Sequence, residues 1–402
     1  MKKVFVIKAK RTAIGSFMGT LKDVHAAKLG AVLVKSILEE TGLKDDAVDE
    51  VIVGNVLSAG TGQGIARQVA MQGGVSHLVP AYMVNKVCCS GMKSVMNAVD
   101  CIKSGRVNLV LAGGIESMSQ APFITPGAKI RGGNKLGDIT SVDHILHDSL
   151  TDAFENVHMG VTAENIAAKY GIDREAQDEF ALESQKKGIA AVDAGVFASE
   201  IVPIEVKVGR NDVVFLADEY PNRNTSIEKL ATLRPAFKKD GTVTAGNASG
   251  INDGASMTLI ASEDAIKEHG LQPIAEVIGM GQSGIEPSIM GLGPVEAIKN
   301  ALNSASLELK DMDLLELNEA FAAQALGVIH GLSVNHSMSH ADITKMSNIS
   351  GGAISLGHPI GASGNRIITT LLHGLIRNNL NYGLASLCAG GGMGTAVVFK
   401  KI

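Results

Sequence analysis

The first 120 residues alternate between two kinds of hydrophobic pattern. Short apolar runs have the length and β-branched content of buried strands, and the segments between them carry apolar residues at the three- and four-residue spacing of an amphipathic helix. The predicted strands cover residues 4–8, 50–56, 82–87 and 109–112, and the predicted helices cover residues 26–41, 65–72 and 91–104. Strands that alternate with helices predict a parallel sheet with helices on both faces.

The same alternation returns after residue 274, whereas residues 120–250 follow neither pattern. This middle stretch holds one long predicted helix at 173–193 and a turn-rich region at 220–224, which indicate an inserted segment. A strand at 255–261 is predicted to resume the first sheet. In the second α/β segment we predict helices over 294–306, from Glu319 onward and over 365–377, strands over 314–317, 384–387 and 395–399, and a polar surface loop over 331–346.

Short similarities indicate that the second α/β segment repeats the first. LVLAGG at residue 109 and LCAGGG at residue 387 both end an apolar strand on glycines, and Cys88 and His358 each precede a helix start rich in Gly and Ser. We therefore predict an α/β fold with two similar halves. The predicted domains are residues 1–119 plus 251–273 for the first half, 120–250 for an inserted loop domain and 274–402 for the second half.

Composition and charge narrow the class of protein. A chain of 402 residues with 45% hydrophobic and 19% charged residues predicts a globular protein with more than one domain. The net charge of −5 gives no reason to expect nucleic acid or an anionic membrane as partner. Four cysteines are too few for a disulfide framework, and we find neither a signal-peptide core nor an apolar stretch of ~18 residues. We therefore expect a cytoplasmic protein.

Cys88 and Cys89 lie where a predicted strand meets a predicted helix. A thiol at a helix N-terminus has a lowered pKa, because the unpaired backbone N–H groups stabilise the thiolate. The same N–H groups can hold the oxygen of an acyl group carried by the sulfur. Cysteines at strand ends are also common as buried apolar side chains, and this is the interpretation that we give Cys101 in the middle of a predicted helix.

His358 and Cys388 also lie in glycine-rich strings. Pro359 prevents helix at His358, which places the imidazole on a turn at a helix entrance, where it either accepts a thiol proton or only bonds to backbone. A thiol that carries an acyl group, a base that activates it and a second acid/base that moves an α-proton are what carbon–carbon bond chemistry on thioesters needs. Without a C-x-x-C pair, a zinc site is not expected, and we interpret His330, His336 and His340 as solvated loop residues.

Two further segments carry polar groups. Asn318 ends a predicted strand, so it is either the N-cap of the following helix or a group that positions a water. The string GNASG at 246–250 predicts a rigid, turn-rich loop of the kind that often lines a ligand site.

Taken together, these strings resemble the thiolases. NKVCCSGMK, NEAFA, GGAISLGHPIGASG and CAGGGMG occur in the order and spacing of that family, and RTAIGSF, LAGGIESMSQAP, HMGVTAEN and GNASGINDGA match as well, so that the resemblance covers nearly the whole chain. It implies two α/β halves, each a five-stranded mixed sheet layered with helices in an α-β-α-β-α arrangement, and a loop domain inserted in the first half. It also implies an acyltransferase that is a dimer or tetramer, and we expect a homotetramer.

The resemblance implies a role for each matching residue. Cys88 would be the acylated nucleophile, His358 its base and Cys388 the acid/base for the α-proton. The backbone N–H groups of Cys88 and Gly390 would form one oxyanion hole, and His358 with a water on Asn318 the other. The expected contacts to the coenzyme A thioester are Ser249, Ala248, His158, Met159, Phe237, Arg223, Met290, Ala320 and Phe321. No tightly bound cofactor and no metal are expected.

The implied reaction is the reversible conversion of two acetyl-CoA to acetoacetyl-CoA and CoA through an acetyl-cysteine. A broader-chain 3-ketoacyl-CoA thiolase is the alternative, while Cys388 argues against a β-ketoacyl synthase, and the intact reactive residues argue against a lipid-binding relative. The chain departs from the family at Cys89, where a small residue is usual, at Ala13 and Ser350, and in the length of residues 331–346.

Overall fold

One ten-stranded sheet runs through both α/β segments of the computed structural model, which describes residues 2–402. Nine strands follow one another in the order β12-β13-β14-β11-β1-β10-β5-β3-β4, and β2 pairs with β10. The strands are β1 (Val4–Arg11), β2 (Gly15–Ser16), β3 (Glu50–Gly54), β4 (Ala81–Val84), β5 (Leu109–Ser117), β6 (Phe123–Ile124), β7 (Val142–Asp143), β8 (Ile204–Val208), β9 (Asn211–Phe215), β10 (Asn252–Ser262), β11 (Ala275–Gly284), β12 (Leu314–Leu317), β13 (Tyr382–Ala389) and β14 (Met393–Lys401). The pairs β6–β7 and β8–β9 lie in the predicted insertion.

Five of the seven predicted helices begin and end within one residue of the observed bounds, but the helix predicted over 365–377 begins five residues earlier, at Ile360. The observed helices are α1 (Ala26–Thr41), α2 (Ile65–Gln72), α3 (Ser90–Lys103), α4 (Gly127–Arg131), α5 (Met159–Tyr170), α6 (Arg174–Asp193), α7 (Ile227–Ala231), α8 (Glu263–His269), α9 (Gly293–Ala305), α10 (Ala322–His336), α11 (His340–Met346), α12 (Ala353–Leu356) and α13 (Ile360–Arg377). The bounds of α1 match the prediction because its ends carry local signals. His25 caps the first turn through its side chain, and Gly42 ends the helix in the left-handed conformation.

The order and direction of the strands confirm that the chain contains two similar halves. In the first half the order is β4-β3-β5-β10-β1, with two parallel pairs followed by two antiparallel pairs. In the second half β12, β13, β14 and β11 repeat this pattern, and Ser347 makes a single parallel bridge to Leu315 where the first half has β4. Each half is therefore a mixed sheet and not the parallel sheet that the hydrophobic pattern alone predicts.

Helices α3 and α13 form the layer that both halves share. The halves join where β1 pairs with β11 at Phe5–Glu276 and Val6–Ala275. Helix α13 packs against β5 and β10 of the first half and against β12 and β13 of the second. Val99 of α3 and Leu371 of α13 lie in one core cluster with no exposed surface. Because the two halves share these helices, the helices and sheets form a five-layer arrangement.

Glycines allow the two central helices to meet backbone to backbone at their N-terminal ends. A Cβ on Gly91 would lie 2.9 Å from the carbonyl oxygen of Gly361, and a Cβ on Gly364 would lie 2.5 Å from the backbone nitrogen of Met92. A Cβ on Gly114 of β5 would lie 2.0 Å from the same Gly361 oxygen. Any side chain at these positions would push the helix starts apart. The turn before each helix is thereby brought to one place.

The predicted surface loop over residues 331–346 is wrong. Most of these residues belong to α10 and α11, and Leu332 of α10 and Ile343 of α11 are fully buried. The hydroxyl of Ser339 caps α11 by accepting a hydrogen bond from the Asp342 N–H. The frequent Ser, Asn and His residues hid the helical spacing of the few apolar ones. The solvated-loop interpretation of three histidines is wrong for the same reason, because they lie at His330, His336 and His340 of these helices.

The helix predicted from Glu319 begins later, at Ala322. Phe321 is its N-cap residue, so Asn318 is not a cap. The Ala322 N–H donates to the carbonyl oxygen of Asn247, and the Ala320 N–H donates to the side chain of Gln324. These bonds hold residues 318–321 extended against the 246–250 loop, because the groups that would start a helix are already paired.

A buried arginine ties β1 to the inserted segment. The Arg11 guanidinium donates two hydrogen bonds to the carboxylate of Asp218, at 2.7 and 2.8 Å, and a third to Glu200 at 2.5 Å. All three side chains are buried. The proposed domain limits at residues 119, 250 and 273 remain predictions. Among the described helices, none is long and apolar enough to cross a membrane.

We predict that Arg11→Met lowers the free energy of unfolding by ~3–5 kcal/mol, because it leaves two buried carboxylates without their cation. The matched control is Arg223→Met, which breaks the exposed pair with Asp193 and should leave the free energy of unfolding nearly unchanged. Urea unfolding followed by circular dichroism measures both values. If both variants lowered the free energy of unfolding by the same amount, Arg11 would not be the residue that ties β1 to the inserted segment.

Candidate active site

A cavity of about 320 Å³ lies where both halves and the inserted segment meet. It receives all but two of the site residues predicted from the sequence. Those that line it are Cys88, His158, Met159, Phe237, Ala248, Ser249, Met290, Ala320, Phe321, His358, Cys388 and Gly390. Asn318 and Arg223 do not line it.

Cys88 lies on a tight turn between β4 and α3. Val87 has φ +49°, a left-handed conformation that a β-branched residue rarely adopts, and such strain is concentrated at functional sites. Ser90 holds the turn, since its hydroxyl donates to the Val87 carbonyl at 2.6 Å and accepts from the Lys86 N–H at 2.8 Å. The turn places Cys88 in the cavity wall, where it is partly exposed.

The pKa of Cys88 is higher than the sequence led us to expect. Burial raises the pKa of the thiol to about 12, although the backbone N–H groups of Gly390 and of Cys88 itself act to lower it. Helix α3 begins only at Ser90, and its dipole does not offset the desolvation. The predicted lowering is therefore wrong for the free site, in which Cys88 is a thiol at neutral pH.

His358 is held by two hydrogen bonds, and one ring nitrogen is free. Its backbone N–H donates to the side-chain oxygen of Asn252 on β10, at 2.9 Å. Its Nδ1 lies 2.6 Å from the hydroxyl of Ser363, and that hydroxyl donates its only proton to the Pro359 carbonyl. The hydroxyl must then accept from Nδ1–H, which leaves a lone pair on Nε2. Nε2 is buried and has no hydrogen-bond partner among residues 2–402, so it is the available base.

Burial keeps all three reactive side chains uncharged. It lowers the pKa of His358 to about 4, with a further lowering by the positive charge of Arg366. It also raises the pKa of Cys388 well above its usual range, with a smaller contribution from the neighbouring thiols of Cys88 and Cys89. At neutral pH the free site therefore holds two thiols and a neutral imidazole.

Cys388 and Gly390 lie at the turn between β13 and β14. Gly391 and Gly392 both have positive φ, at 81° and 79°, and a Cβ on Gly392 would lie 2.1 Å from the Ile285 carbonyl oxygen. This turn presents the Gly390 N–H to the sulfur of Cys88. Two backbone donors, from Gly390 and Cys88, thus converge where an acyl oxygen on that sulfur would lie.

Asn318 is buried just beyond the cavity, at the end of β12. Neither its amide nitrogen nor its amide oxygen has a hydrogen-bond partner within the described chain. Buried amides are nearly always hydrogen-bonded, either to protein or to ordered water. This side chain is therefore able to bind water next to the cavity.

Glu116 is a residue that the sequence reasoning missed. Its buried carboxylate accepts the backbone N–H groups of Val56, Leu57 and Gly361 and the side-chain amide of Asn55. Burial raises the pKa of this carboxyl to about 7, although these hydrogen bonds oppose the shift. It pins the first turn of α13, and so the His358 turn, to the ends of β3 and β5. The acidic residue in LAGGIES, at the end of an otherwise apolar strand, was the available signal.

One wall of the cavity is a stack of rings. His158 stacks on Phe237 with centroids 4.5 Å apart, and Phe321 meets Phe237 edge-on at 6.0 Å. His158 Nδ1 accepts from the Gly160 N–H, so its other nitrogen carries the proton. Burial lowers the pKa of His158, which keeps the ring neutral. The wall thus offers apolar faces and one N–H donor.

The 246–250 loop supplies the opposite wall. The Ser249 N–H donates to the Ala320 carbonyl at 3.0 Å, and Ala248 bridges to Phe321. Met159 and Met290 add buried apolar surface. The lining residues that we did not predict are Met118, Ser149, Leu150, Tyr220, Ala245, Gly250, Ile251 and Ile360. They are spread over the inserted segment and the strand ends, where only the folded chain brings them together.

Arg223 lies on the surface, where it pairs with Asp193. A groove of about 540 Å³ adjoins the cavity and shares Tyr220, Ala245 and Ala248 with it. Lys229, Asn222 and Asn224 also line this groove, so it offers a cation and amides outside the apolar cavity. Lys229 was not predicted.

Cys89 faces the core and not the cavity. Its sulfur donates to the Leu387 carbonyl at 3.5 Å, and the residue has no exposed surface. The presence of Cys89 in place of the usual small residue therefore affects the packing between the Cys88 turn and β13, and not the lining of the cavity. In the described part of the chain, no cluster of His, Cys, Asp and Glu residues is arranged to hold a metal ion.

Comparison with known proteins gives matches over the whole chain. The family model described as "Thiolase, N-terminal domain" matches residues 4–264, and "Thiolase, C-terminal domain" matches residues 271–401. A Staphylococcus aureus protein named probable acetyl-CoA acyltransferase is 50% identical over 402 residues, which is 100% of each chain.

Solved structures match equally well. An acetyl-CoA acetyltransferase from Syntrophomonas wolfei is 39% identical, with a TM-score of 0.96 and 100% of both chains covered. Human mitochondrial 3-ketoacyl-CoA thiolase in complex with CoA is 44% identical, with a TM-score of 0.93 over 100% of this chain and 98% of that one.

We predict that alkylation of Cys88 by iodoacetamide in the free protein rises about tenfold per pH unit from pH 7 to beyond pH 9, because only the thiolate reacts and its pKa is raised. Peptide mass spectrometry measures the modified fraction. N-acetylcysteine serves as a control thiol of ordinary pKa, whose alkylation rate levels off at a lower pH. A rate that is constant between pH 6 and pH 8 would mean that a thiolate is already formed, and would contradict the neutral site.

Proposed function

The chain belongs to the thiolase family and is an acyltransferase, and we propose that it is an acetyl-CoA C-acetyltransferase that interconverts two acetyl-CoA with acetoacetyl-CoA and CoA. The observation that carries the proposal is one cavity lined by two cysteines and a histidine with a free Nε2. Coenzyme A thioesters enter as substrates, and no tightly bound cofactor is part of the proposal.

In the first half-reaction, Cys88 takes the acetyl group. As its sulfur attacks the thioester carbonyl, Nε2 of His358 accepts the thiol proton, so that no free thiolate has to form in the buried site. The new carbon–sulfur bond forms while the bond to coenzyme A breaks, and the imidazolium returns its proton to the departing CoA thiolate. The N–H groups of Gly390 and Cys88 stabilise the oxygen that becomes negative.

In the second half-reaction, Cys388 moves the α-proton. The Cys388 thiol gives its proton to Nε2 of His358, the resulting thiolate removes a proton from the methyl group of a second acetyl-CoA, and the enolate attacks the acetyl carbonyl on Cys88. A carbon–carbon bond forms, the Cys88 sulfur leaves as thiolate and takes the proton from the His358 imidazolium, and Cys388 keeps the α-proton as a thiol. A buried thiolate of raised pKa is a stronger base than an ordinary one, which suits a weakly acidic thioester α-proton. His358 and a water on Asn318 hold the enolate oxygen.

The lining supports a distribution of contacts along the substrate. Ser249, Ala248, His158 and Phe237 would contact the pantetheine arm, and the shared groove with Lys229 would receive the nucleotide end. Met159, Met290, Ala320 and Phe321 would enclose the acyl end. Arg223 is kept as a candidate for phosphate contact only if it leaves Asp193.

The 3-ketoacyl-CoA thiolase reaction on longer chains is the second candidate. The human 3-ketoacyl-CoA thiolase is 44% identical to this chain, and the Syntrophomonas wolfei acetyl-CoA acetyltransferase is 39% identical. The lining of the cavity argues against this second candidate. Four side chains around it are more than nine-tenths buried and leave little room for a long acyl chain: Met118, Met159, Met290 and Ile360.

We also propose a cytoplasmic homotetramer. Strand β4 lies at the edge of the sheet with Tyr82 and Met83 exposed, and Phe123 and Leu136 are 71% and 93% exposed in the inserted segment. Exposed apolar side chains and open strand edges are commonly covered by a second copy of the chain.

The substrate assignment is tested by CoA-dependent cleavage of acetoacetyl-CoA and of 3-ketohexadecanoyl-CoA. We expect kcat/KM to favour the four-carbon substrate by at least ~10²-fold, because the buried methionines exclude a longer chain. Met290→Ala should lower the ratio of kcat/KM for the four-carbon substrate to kcat/KM for the long one. Comparable activity on both substrates would transfer the protein to the second candidate function, and cleavage of neither would contradict the proposed chemistry.

We predict that Cys388→Ala lowers the rate of acetoacetyl-CoA formation by about 10²–10⁴-fold, because the α-proton loses its base. Acetylation of Cys88 by acetyl-CoA, measured by mass spectrometry, should persist. The matched control Cys101→Ala removes a thiol that does not line the cavity and should keep both steps. An equal loss of acetylation and condensation in Cys388→Ala would overturn the two roles.

A further inference from the structure

Glu319 is a buried carboxylate that the proposed reaction steps do not use. It follows Asn318 directly in the chain and has 2% of its surface exposed. Its oxygens accept hydrogen bonds from the hydroxyl of Ser184 on α6 at 2.6 Å, the side-chain amide of Asn348 at 2.8 Å and the backbone N–H of Ile354 on α12 at 3.3 Å. The carboxylate therefore joins the strand end that carries Asn318 to three other parts of the fold.

A glycine allows this carboxylate to lie against the start of α12. A Cβ on Gly352 would lie 2.1 Å from the carboxyl carbon of Glu319. Gly352 has φ −123° and ψ −160°, an extended conformation that other residues also adopt, so its backbone does not require glycine. The close approach of the carboxylate does require it. The Gly352 N–H donates to the hydroxyl of Ser184 at 3.3 Å, so both side chains hold this segment.

Asn348 connects Glu319 to the backbone on the other side of Asn318. Its amide oxygen accepts the Leu317 N–H at 2.8 Å, and its amide nitrogen donates to the Leu317 carbonyl at 2.7 Å and to Glu319. The Asn318 N–H donates to the Ser386 carbonyl at 3.0 Å. The backbone is thus held on both sides of Asn318, whose own amide has no partner within residues 2–402. Because no hydrogen bond of its own fixes this amide, its position depends on the backbone that carries it.

The Ile354 N–H connects the same carboxylate to the turn that carries the base. Ile354 lies in the single-turn helix α12, and His358 follows four residues later. His358 keeps two hydrogen bonds of its own, from its backbone N–H to Asn252 and between its Nδ1 and Ser363. The imidazole therefore has a fixed place, and Glu319 bridges from the segment that leads to it to the strand end after β12.

We propose that Glu319 is a positioning residue for the condensation, which holds the Asn318 amide at the distance from His358 that lets both groups bind one enolate oxygen. The inference rests on the proposed function, in which His358 and a water on Asn318 hold that oxygen. A carboxylate suits this role because the amide nitrogen of Asn348 and the Ile354 N–H can only donate. The amide introduced by Glu319→Gln would set a donor against one of them.

The test separates the two half-reactions in Glu319→Gln. Exchange of the acetyl-CoA methyl protons with heavy water, followed by NMR, reports enolate formation, and mass spectrometry reports acetylation of Cys88. Exchange and condensation should fall by about 10–10²-fold, since a misplacement of ~1 Å is enough for such a loss. Acetylation should stay within about threefold, because its oxyanion is held by the N–H groups of Gly390 and Cys88. The control Glu183→Gln removes an exposed carboxylate next to Ser184 and should change neither rate. An equal loss of acetylation and condensation in Glu319→Gln would overturn the proposal.

A double-mutant cycle tests whether Glu319 acts through Asn318. Asn318→Ala removes the amide that binds the water, so adding Glu319→Gln to it should lower condensation by less than about threefold more. If the two losses multiply, Glu319 acts elsewhere and the proposal is wrong. Gly352→Ala keeps the carboxylate but displaces it, and it should give the same pattern with Asn318→Ala. This second variant remains decisive if Glu319→Gln does not fold.

A further readout does not depend on catalysis. Hydrogen–deuterium exchange with mass spectrometry measures the protection of the backbone amides in residues 352–358. In Glu319→Gln the Ile354 amide loses its acceptor and should exchange at least about tenfold faster, while α3 should keep its protection. If protection falls in this way and the wild-type protein exchanges no α-protons, Glu319 still anchors α12 and it is the proposed function that falls. Unchanged protection of residues 352–358 would overturn the positioning role.

Discussion

The structure depends on a direct backbone contact between the N-terminal ends of α3 and α13. Gly91 and Gly364 allow it, since a Cβ on either would overlap the other helix, and Gly114 lets strand β5 come equally close to α13. Each helix is preceded by a turn that carries a reactive side chain, Cys88 on one and His358 on the other. The duplicated topology thus has a chemical consequence, because equivalent turns of two similar halves meet at one point. Glu116 maintains the contact by accepting the Gly361 N–H in the first turn of α13 together with the N–H groups of Val56 and Leu57 after β3.

Desolvation, and not ion pairing, sets the state of the site. Burial moves the pKa of Cys88 up to about 12 and that of His358 down to about 4, so the thiolate–imidazolium pair is the unfavourable form until a substrate arrives. In the proposed mechanism, the groups that act only as charge develops are the backbone N–H groups of Gly390 and Cys88 and the free Nε2 of His358.

Much of this architecture was readable from local signals. The bounds of α1, α2 and β12 follow from apolar periodicity and from caps, and those elements match the prediction to the residue. Periodicity failed where polar residues interrupt the apolar ones, as in the last turns of α10 and in α11, where Leu332 and Ile343 are the buried side chains. It also failed after β12, where the backbone groups that would start a helix at Glu319 are engaged by the 246–250 loop, a partner distant in sequence.

The sequence by itself determined the family and the candidate reactive residues, because Cys88, His358 and Cys388 lie in strings whose glycines and spacing are already specific. It also determined that the chain contains two α/β halves, since the alternation of strand and helix is a local property. Only the tertiary structure decided the protonation states, because desolvation depends on which atoms surround a group and not on its neighbours in the chain. The tertiary structure also selected Ser363 and Glu116, which hold the His358 turn through contacts within the turn and across the ends of the sheet. The free Nε2 of His358 is the clearest case, since one hydroxyl with a single proton decides which nitrogen remains available.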